Sequence, residues 1–475
     1  MDGWWNTTTE YERFIRVFGR QAFHPWVHAL RNPLILEKWD DPQIEKKLWE
    51  GLKQVWTSGT AGMNFRLPVD ACDVLMYCSS DKPSVQPAMD WLARRLGQAG
   101  MPTVHWGSTT ITCYLQGRPD HTLPAKGIRK ALGFALRQRA ICDIPRSLWF
   151  SLSTFATALA GFRPFAKRFT ISPRRLFSEI ATNRHMTRVL REFLATLKPK
   201  LILTNGEQTP VGCALTAAAR KEGIRVVWFF NEWPTSQMMP VLSDEIWVWN
   251  NAVADTLKAI HPVGFPAPNV QIIGMAQLDC MQEQASQGDV VAARLPGPRC
   301  LVFLSEYIPA YAHHNRLATE LALRWLAEAA SLAEDWHFVI KPRSYHDTTP
   351  LPGEQYLQGH KNIMVMRDGV SMAALVAAPE VEAIAALSSS GLLLGAATGR
   401  KAFRLLVSEN PYPIPSLDRV VQAISSPEML VRALGKSARV FSAEAFPNRG
   451  KVLATMEALV RQRVGSRNVL AKIEV

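Results

Sequence analysis

The sequence predicts an α/β protein built as two facing Rossmann-like domains with helical additions. Three observations predict it. Buried-strand and helix patterns alternate twice, once between residues 73 and 274 and again between 300 and about 407. Such alternation implies parallel sheets with crossover connections. The stretch Gly288–Arg299, with Pro296 and Pro298, has linker composition between the two runs. At 475 residues the chain also exceeds the usual size of a single core. The expected layout is a helical, tryptophan-rich extension over 1–70 and a first Rossmann-like domain over 71–287 carrying a helical insertion at 129–198. A linker at 288–299, a second domain over 300–415 and C-terminal helices over 416–475 complete it.

In the first half, Asp73–Cys78 is the first buried strand, because five consecutive residues are apolar after the leading aspartate. Pro83–Gly97 follows as an amphipathic helix with Met89, Leu92 and Leu96 on one face and glycine at its stop. Thr103–Trp106 is a second strand, and 108–128 reads as loop. Lys200–Thr204 is a strand, Pro210–Lys221 a helix and Arg225–Phe230 a buried strand. Glu245–Trp249 is another strand, Asn251–Ile260 a helix, and Val270–Gly274 closes the half.

The second half begins with the strand Cys300–Leu304. Strands at Trp336–Arg343 and Asn362–Met366 follow, then a short helix at about Ser371–Ala378. A buried strand then ends in Ser388-Ser389-Ser390-Gly391, a small-residue helix comes next, and a strand falls around Ala402–Val407. The tail from Leu417 reads as helical.

Composition narrows the function. Hydrophobic residues at 47% and charged residues at 20% describe an ordinary globular chain. Its seven cysteines are scattered singly, with no CxxC or CxxH pair, which points away from zinc and towards a reducing compartment. The N-terminus lacks a signal-peptide pattern, so a cytoplasmic location is expected. The net charge of +13 is concentrated. Between Arg129 and Lys200 stand 15 Lys/Arg against Asp143, Glu179 and Glu192, a local net of +12. Inside this region the uncharged run Ser147–Phe162 is too short and polar to span a membrane. With Arg163, Lys167, Arg168, Arg174 and Arg175 after it, the segment suits contact with an anionic membrane surface or an anionic acceptor. No zinc finger, RNP-like motif or basic-aromatic stripe points to nucleic acid.

Chemistry is expected where strands end, since ligands of open α/β sheets bind at the carboxyl edge. Five loops stand there: Thr204–Glu207, Asn231–Trp233, Ser305–Tyr307, Lys341–Arg343 and Ser388–Gly391. Glu232 is the first candidate for a general base, because a carboxylate beside an aromatic ring can gain basicity. Glu207 is the alternative, and Ser305 and Glu306 lie on the opposite wall. Lys341 and Arg343 suit a diphosphate, which needs its charge neutralised as it leaves. Ser388, Ser389, Ser390 and Gly391 offer hydroxyls and backbone N–H groups to the same phosphates. No metal ligand set and no cofactor are expected: His24 and His28 lack an acidic or cysteine partner. The absence of GxGxxG, Walker A and G-x-S-x-G argues against dehydrogenases, P-loop kinases and α/β-hydrolases.

Four segments carry a resemblance to GT-B glycosyltransferases of bacterial capsule and O-antigen assembly, including Kdo transferases and CDP-glycerol glycerophosphotransferases. They are Pro199–Asn205 with Ala217–Ile224, Ser243–Asn250 with Gln271–Gly274, Trp336–Arg343, and Ala385–Lys401 with its serines and Gly399-Arg400-Lys401. The chain departs from the pattern where Arg343 replaces a His-Pro pair. Phe230–Trp233 stands where relatives have Gln-His-Gly, and Gly395-Ala396 replaces a Glu-Ala that often grips the donor. The resemblance implies a metal-independent transferase at the inner face of the cytoplasmic membrane. It would move a sugar from a CMP-, CDP- or UDP-linked donor to a lipid-linked or growing glycan. A nucleotide-sugar 2-epimerase shares the same architecture, and a non-catalytic binding protein is the reading of another class.

Overall fold

The computed structural model describes residues 71–465, apart from 79–84, 108–109, 115–118, 125–185, 189, 208, 232, 235–237, 240, 262–266, 287–294, 308–311, 343–349, 368–369, 371, 408–413 and 438–444. It contains two sheets.

The first sheet has the order β4-β3-β2-β1-β5-β6-β7-β8. Its strands are β1 (Val74–Tyr77), β2 (Thr103–Trp106), β3 (Thr110–Tyr114), β4 (Pro119–Pro124), β5 (Leu201–Thr204), β6 (Arg225–Phe229), β7 (Glu245–Val248) and β8 (Asn269–Ile272). Six of them run parallel, from β2 through β1 and β5 to β8. Helices α1 (Gln86–Gln98), α2 (Pro210–Lys221) and α3 (Asn251–Ile260) connect them. The α1 face of Met89, Leu92 and Leu96 is buried, as the spacing predicts, and Gly100 takes a positive φ of 75° just past its end. The central parallel strands β1 and β5 are buried along their whole length, as strands covered on both faces are.

The segment 108–128, expected as loop, instead contributes β3 and β4, which extend the sheet as antiparallel strands. Ile111 and Cys113 alternate with threonines and are each 1% exposed in the core. A five-residue strand with two polar threonines gives too brief an alternation to stand out against the neighbouring Gly and Pro.

The second sheet is wholly parallel, in the order β11-β10-β9-β12-β13-β14. Its strands are β9 (Cys300–Leu304), β10 (His337–Lys341), β11 (Ile363–Val365), β12 (Val381–Ala386), β13 (Lys401–Leu405) and β14 (Gln422–Ile424). Between them lie α4 (Ala276–Ser286), which precedes β9, then α5 (Ala312–Leu332), α6 (Met372–Ala377), α7 (Gly391–Ala397), α8 (Pro415–Asp418) and, after β14, α9 (Pro427–Leu434). Leu323, Leu326, Phe338, Phe403 and Leu430 are among the residues of its core. β14 corrects the expectation of an all-helical tail: three residues ending in the fully buried Ile424 are too short to show a period.

Packing assigns Trp249–Thr256 and Gly274–Val452 to the unit of the second sheet, and Leu257–Ile273 with the residues from Leu453 to the unit of the first. The last helix, α10 (Val452–Gly465), therefore returns to the first sheet. There Arg463 holds the buried Glu245 of β7 through Nε and Nη2, each at 3.0 Å, and Arg95 of α1 meets Glu457 at 3.3 Å. Within the second unit, Asp279 of α4 accepts the N–H groups of Gly450 and Val452 at 2.8 and 2.7 Å and so fixes the turn before α10. No helix among the described residues is long and apolar enough to cross a membrane.

Candidate functional site

The second sheet carries the strand order 3-2-1-4-5-6 counted from its first strand. The chain builds outward from β9 to β11, then returns to place β12 on the other side of β9. Crossovers therefore leave in opposite directions at the β9–β12 boundary, and a crevice opens beyond the carboxyl ends of those strands. The residues at that point are Leu304-Ser305-Glu306 and Leu387-Ser388.

Glu306 bridges the two strand ends. Its Oε1 accepts the Ser388 N–H at 2.7 Å, and its Oε2 accepts the Ser388 hydroxyl. Ser305 is buried; its N–H donates to the Lys341 carbonyl at 3.0 Å, while its Oγ accepts the Tyr307 N–H at 3.4 Å. Lys341 ends β10, next to β9, with only 9% of its surface exposed. On the far side of β12, Arg404 of β13 is 3% exposed. Its Nε donates to the Leu387 carbonyl at 3.1 Å, and its Nη1 pairs with Asp418 of α8. Two buried cations thus flank the switch point, and Arg404 braces the residue just before the serine turn. Sequence reasoning missed Arg404, whose only signal was an arginine within an otherwise apolar strand.

The three serines differ. Ser388 gives both its donors to Glu306. Ser389 uses its Oγ to accept the Gly391 N–H at 3.2 Å, and Ser389 and Ser390 donate to no described residue. Gly395 lies on the α7 face against β12: a Cβ there would come within 2.6 Å of Ile384 Cδ1. The glycine is therefore a packing requirement, and the glutamate of the resembled family would have to enter the helix–sheet contact. Arg343 lies outside the described residues.

The first sheet has its own switch point between β1 and β5. Asn205, fully buried, donates its N–H to the Tyr77 carbonyl at 3.2 Å and its Nδ2 to Cys78 Sγ at 3.5 Å. The turn after β5 is closed by Thr204 Oγ1, which accepts the Gly206 N–H at 3.0 Å, and by the Thr209 hydroxyl, which donates to the Gly206 carbonyl at 2.8 Å. Thr209 also caps α2 through the Gly212 N–H at 3.0 Å. Gly212 must be glycine, because a Cβ would overlap the Gly206 carbonyl.

Glu207, the alternative base, is 2% exposed, and both its oxygens are engaged. They accept the Leu242 N–H at 2.5 Å, the Ser243 N–H at 2.9 Å and the Ser243 hydroxyl. A carboxylate held by three protein donors anchors the loop before β7; it is a strut, and the geometry speaks against its acting as a base. Glu232 lies outside the described residues, but its neighbour Asn231 is 7% exposed with an Oδ1 that meets no donor among the described residues. The basic set Arg163, Lys167, Arg168, Arg174 and Arg175 also lies outside the described residues. Among the described residues no group of three His, Cys, Asp or Glu is placed to hold a metal ion. The described cysteines are buried, and burial pushes the Cys300 thiol up to about 11.

No family model matches this chain, and no curated protein matches it. Solved structures do. A UDP-GlcNAc 2-epimerase from Neisseria meningitidis bound to UDP-GlcNAc is similar over 82% of this chain and 99% of its own, with a TM-score of 0.50 and 12% identity. The fold is GT-B. A putative UDP-N-acetylglucosamine 2-epimerase from Listeria monocytogenes is similar over 86% of this chain and 100% of its own, with a TM-score of 0.49 and 11% identity. A glycosyltransferase of kitacinnamycin is similar over 83% and 96%, with a TM-score of 0.41 and 13% identity.

Proposed function

We propose that this GT-B chain is a nucleotide-sugar enzyme that transfers the sugar of a CMP-, CDP- or UDP-linked donor to a lipid-linked or growing glycan acceptor. The observation that carries the reading is the switch point of the second sheet. Glu306 joins the ends of β9 and β12 there, with Lys341 buried beside them. The donor diphosphate lies against Lys341, Arg343 and the hydroxyls of Ser389 and Ser390, with Gly391 following. A lysine and hydroxyl donors neutralise charge on a leaving phosphate without a metal. Glu232 activates the acceptor hydroxyl, the role that the geometry of Glu207 disfavours. The basic segment 129–198 holds the enzyme against anionic lipid at the inner face of the cytoplasmic membrane.

A second reading is nucleotide-sugar 2-epimerisation, favoured by the likeness to the 2-epimerase bound to UDP-GlcNAc. One experiment separates them. The protein is incubated in D2O with UDP-, CDP- and CMP-sugars, with and without a lipid-linked acceptor, and followed by NMR. Nucleotide release that depends on acceptor supports transfer. Inversion at C2 of the free nucleotide sugar with deuterium incorporation there supports epimerisation. Binding without turnover points to the non-catalytic reading.

A further inference from the structure

A helix usually hands its first N–H groups to a side-chain oxygen at the cap position. Helix α4 begins without one. Met275 stands just before it, and a thioether is only a weak acceptor. Leu278 closes the first turn on the Met275 carbonyl at 3.0 Å. The N–H groups of Ala276 and Gln277 meet no acceptor among the described residues. Asp279, the acidic residue of the first turn, accepts from Gly450 and Val452 instead.

Gln277 supplies an independent observation at the same place. It is 8% exposed, and its Oε1 meets no donor among the described residues. A buried amide without a partner is destabilising and calls for a reason. Side chains of an α-helix lean towards the helix N-terminus, so that of Gln277 runs back towards the unmet N–H groups. The two ends of the amide exchange by a half-turn, which brings Nε2 to the same side as a further donor.

The place is rigid and lies on the ligand side of the second sheet. Gly274 takes a φ of 101°, and a Cβ there would come within 2.3 Å of the Pro447 carbonyl. Helix α4 packs against α6 and α7. Those two lead into the amino ends of β12 and β13, as α4 leads towards that of β9. Helices of such a layer begin at the carboxyl edge of the sheet. The start of α4 is therefore on the side where the serine turn opens α7. Unmet N–H groups at the positive end of a helix suit an oxyanion.

We infer that the start of α4, with the amide of Gln277, is an oxyanion subsite that serves the second sheet's crevice. This deepens the nucleotide-sugar reading and rests on it for the identity of the ligand. The oxyanion comes either from the diphosphate of the donor or from a carboxylate on its sugar. Both present acceptor oxygens and negative charge.

The test is calorimetric titration of wild-type, Gln277→Glu and Gln277→Met proteins with inorganic pyrophosphate, UDP, UDP-glucose and UDP-glucuronate. Gln277→Glu sets a like charge in the subsite, and Gln277→Met removes the donor at similar volume. Losing a hydrogen bond to an ionised group weakens binding about 10- to 100-fold. If the subsite takes a phosphate, both variants lose that much for pyrophosphate, UDP and both UDP-sugars. If it takes the sugar carboxylate, wild-type protein prefers UDP-glucuronate to UDP-glucose. Both variants then lose that preference while UDP binds as before. Gln277→Met strips no partner from the protein and should keep the wild-type melting temperature, so it decides the matter if Gln277→Glu does not fold. Wild-type affinities for all four ligands in the folded variants overturn the subsite, leaving the amide with water alone. Failure of wild-type protein to bind any nucleotide overturns the nucleotide-sugar reading. In that case the subsite stands if pyrophosphate binds and both variants weaken it, and falls otherwise.

Discussion

Glu207 shows how position and role can part company. Its place at a strand end suggested a base, yet three donors from Leu242 and Ser243 hold it. Glu207→Ala would leave two buried N–H groups unsatisfied and should cost about 2–5 kcal/mol, read as a fall in the urea midpoint. Glu207→Gln should lower the melting temperature while leaving the turnover of the folded fraction intact; a large loss of turnover at unchanged stability would restore it as a catalytic group. Asp244 gives a pH prediction. It accepts the Val226 N–H at 2.8 Å, and desolvation raises its pKa above the ordinary carboxylate value. A raised folded-state pKa means that its contribution is most favourable when protonated and is lost as pH rises through that value. Asp244→Asn, which can still accept from Val226, should therefore be more stable than wild type at neutral pH. The gap should close as pH falls below the unfolded carboxylate range, as checked by melting temperature across pH.

Among the elements, α10 carries the clearest energetic claim. Arg463 and Glu245 have side chains 14% and 4% exposed. Glu245 also accepts the Trp247 indole N–H at 2.8 Å. Removing the arginine strands a buried carboxylate, so Arg463→Ala should destabilise the first unit by about 3–5 kcal/mol. Pairing it with Glu245→Gln should recover part of the loss, and additive losses would show that the pair is not coupled. Helices and parallel strands were legible in the sequence. The helix Pro210–Lys221 and the strand Cys300–Leu304 fall where periodicity and apolar runs put them, because long periods and both-face burial leave strong marks. β3, β4 and β14 were not legible: three to six residues with polar alternation give no run to read. The strand-end loops were legible as places. Their wiring was not, because a bond such as Glu306 to Ser388 is set by sheet order, which the local sequence does not state.

For the whole molecule, the parallel strands of the first sheet and the wholly parallel second sheet each reverse direction once and so each make one crevice at their carboxyl edge. The second sheet's crevice is the better furnished, with a buried lysine, a braced serine turn and a bridging glutamate. The central claim is that this crevice binds the nucleotide sugar. Calorimetric titration of UDP-, CDP- and CMP-sugars into wild-type and Lys341→Met protein tests it most directly. The account predicts one-to-one binding of at least one donor by the wild type and an affinity at least about tenfold weaker in Lys341→Met. Equal affinity in a folded Lys341→Met variant, or no binding by the wild type, would contradict it.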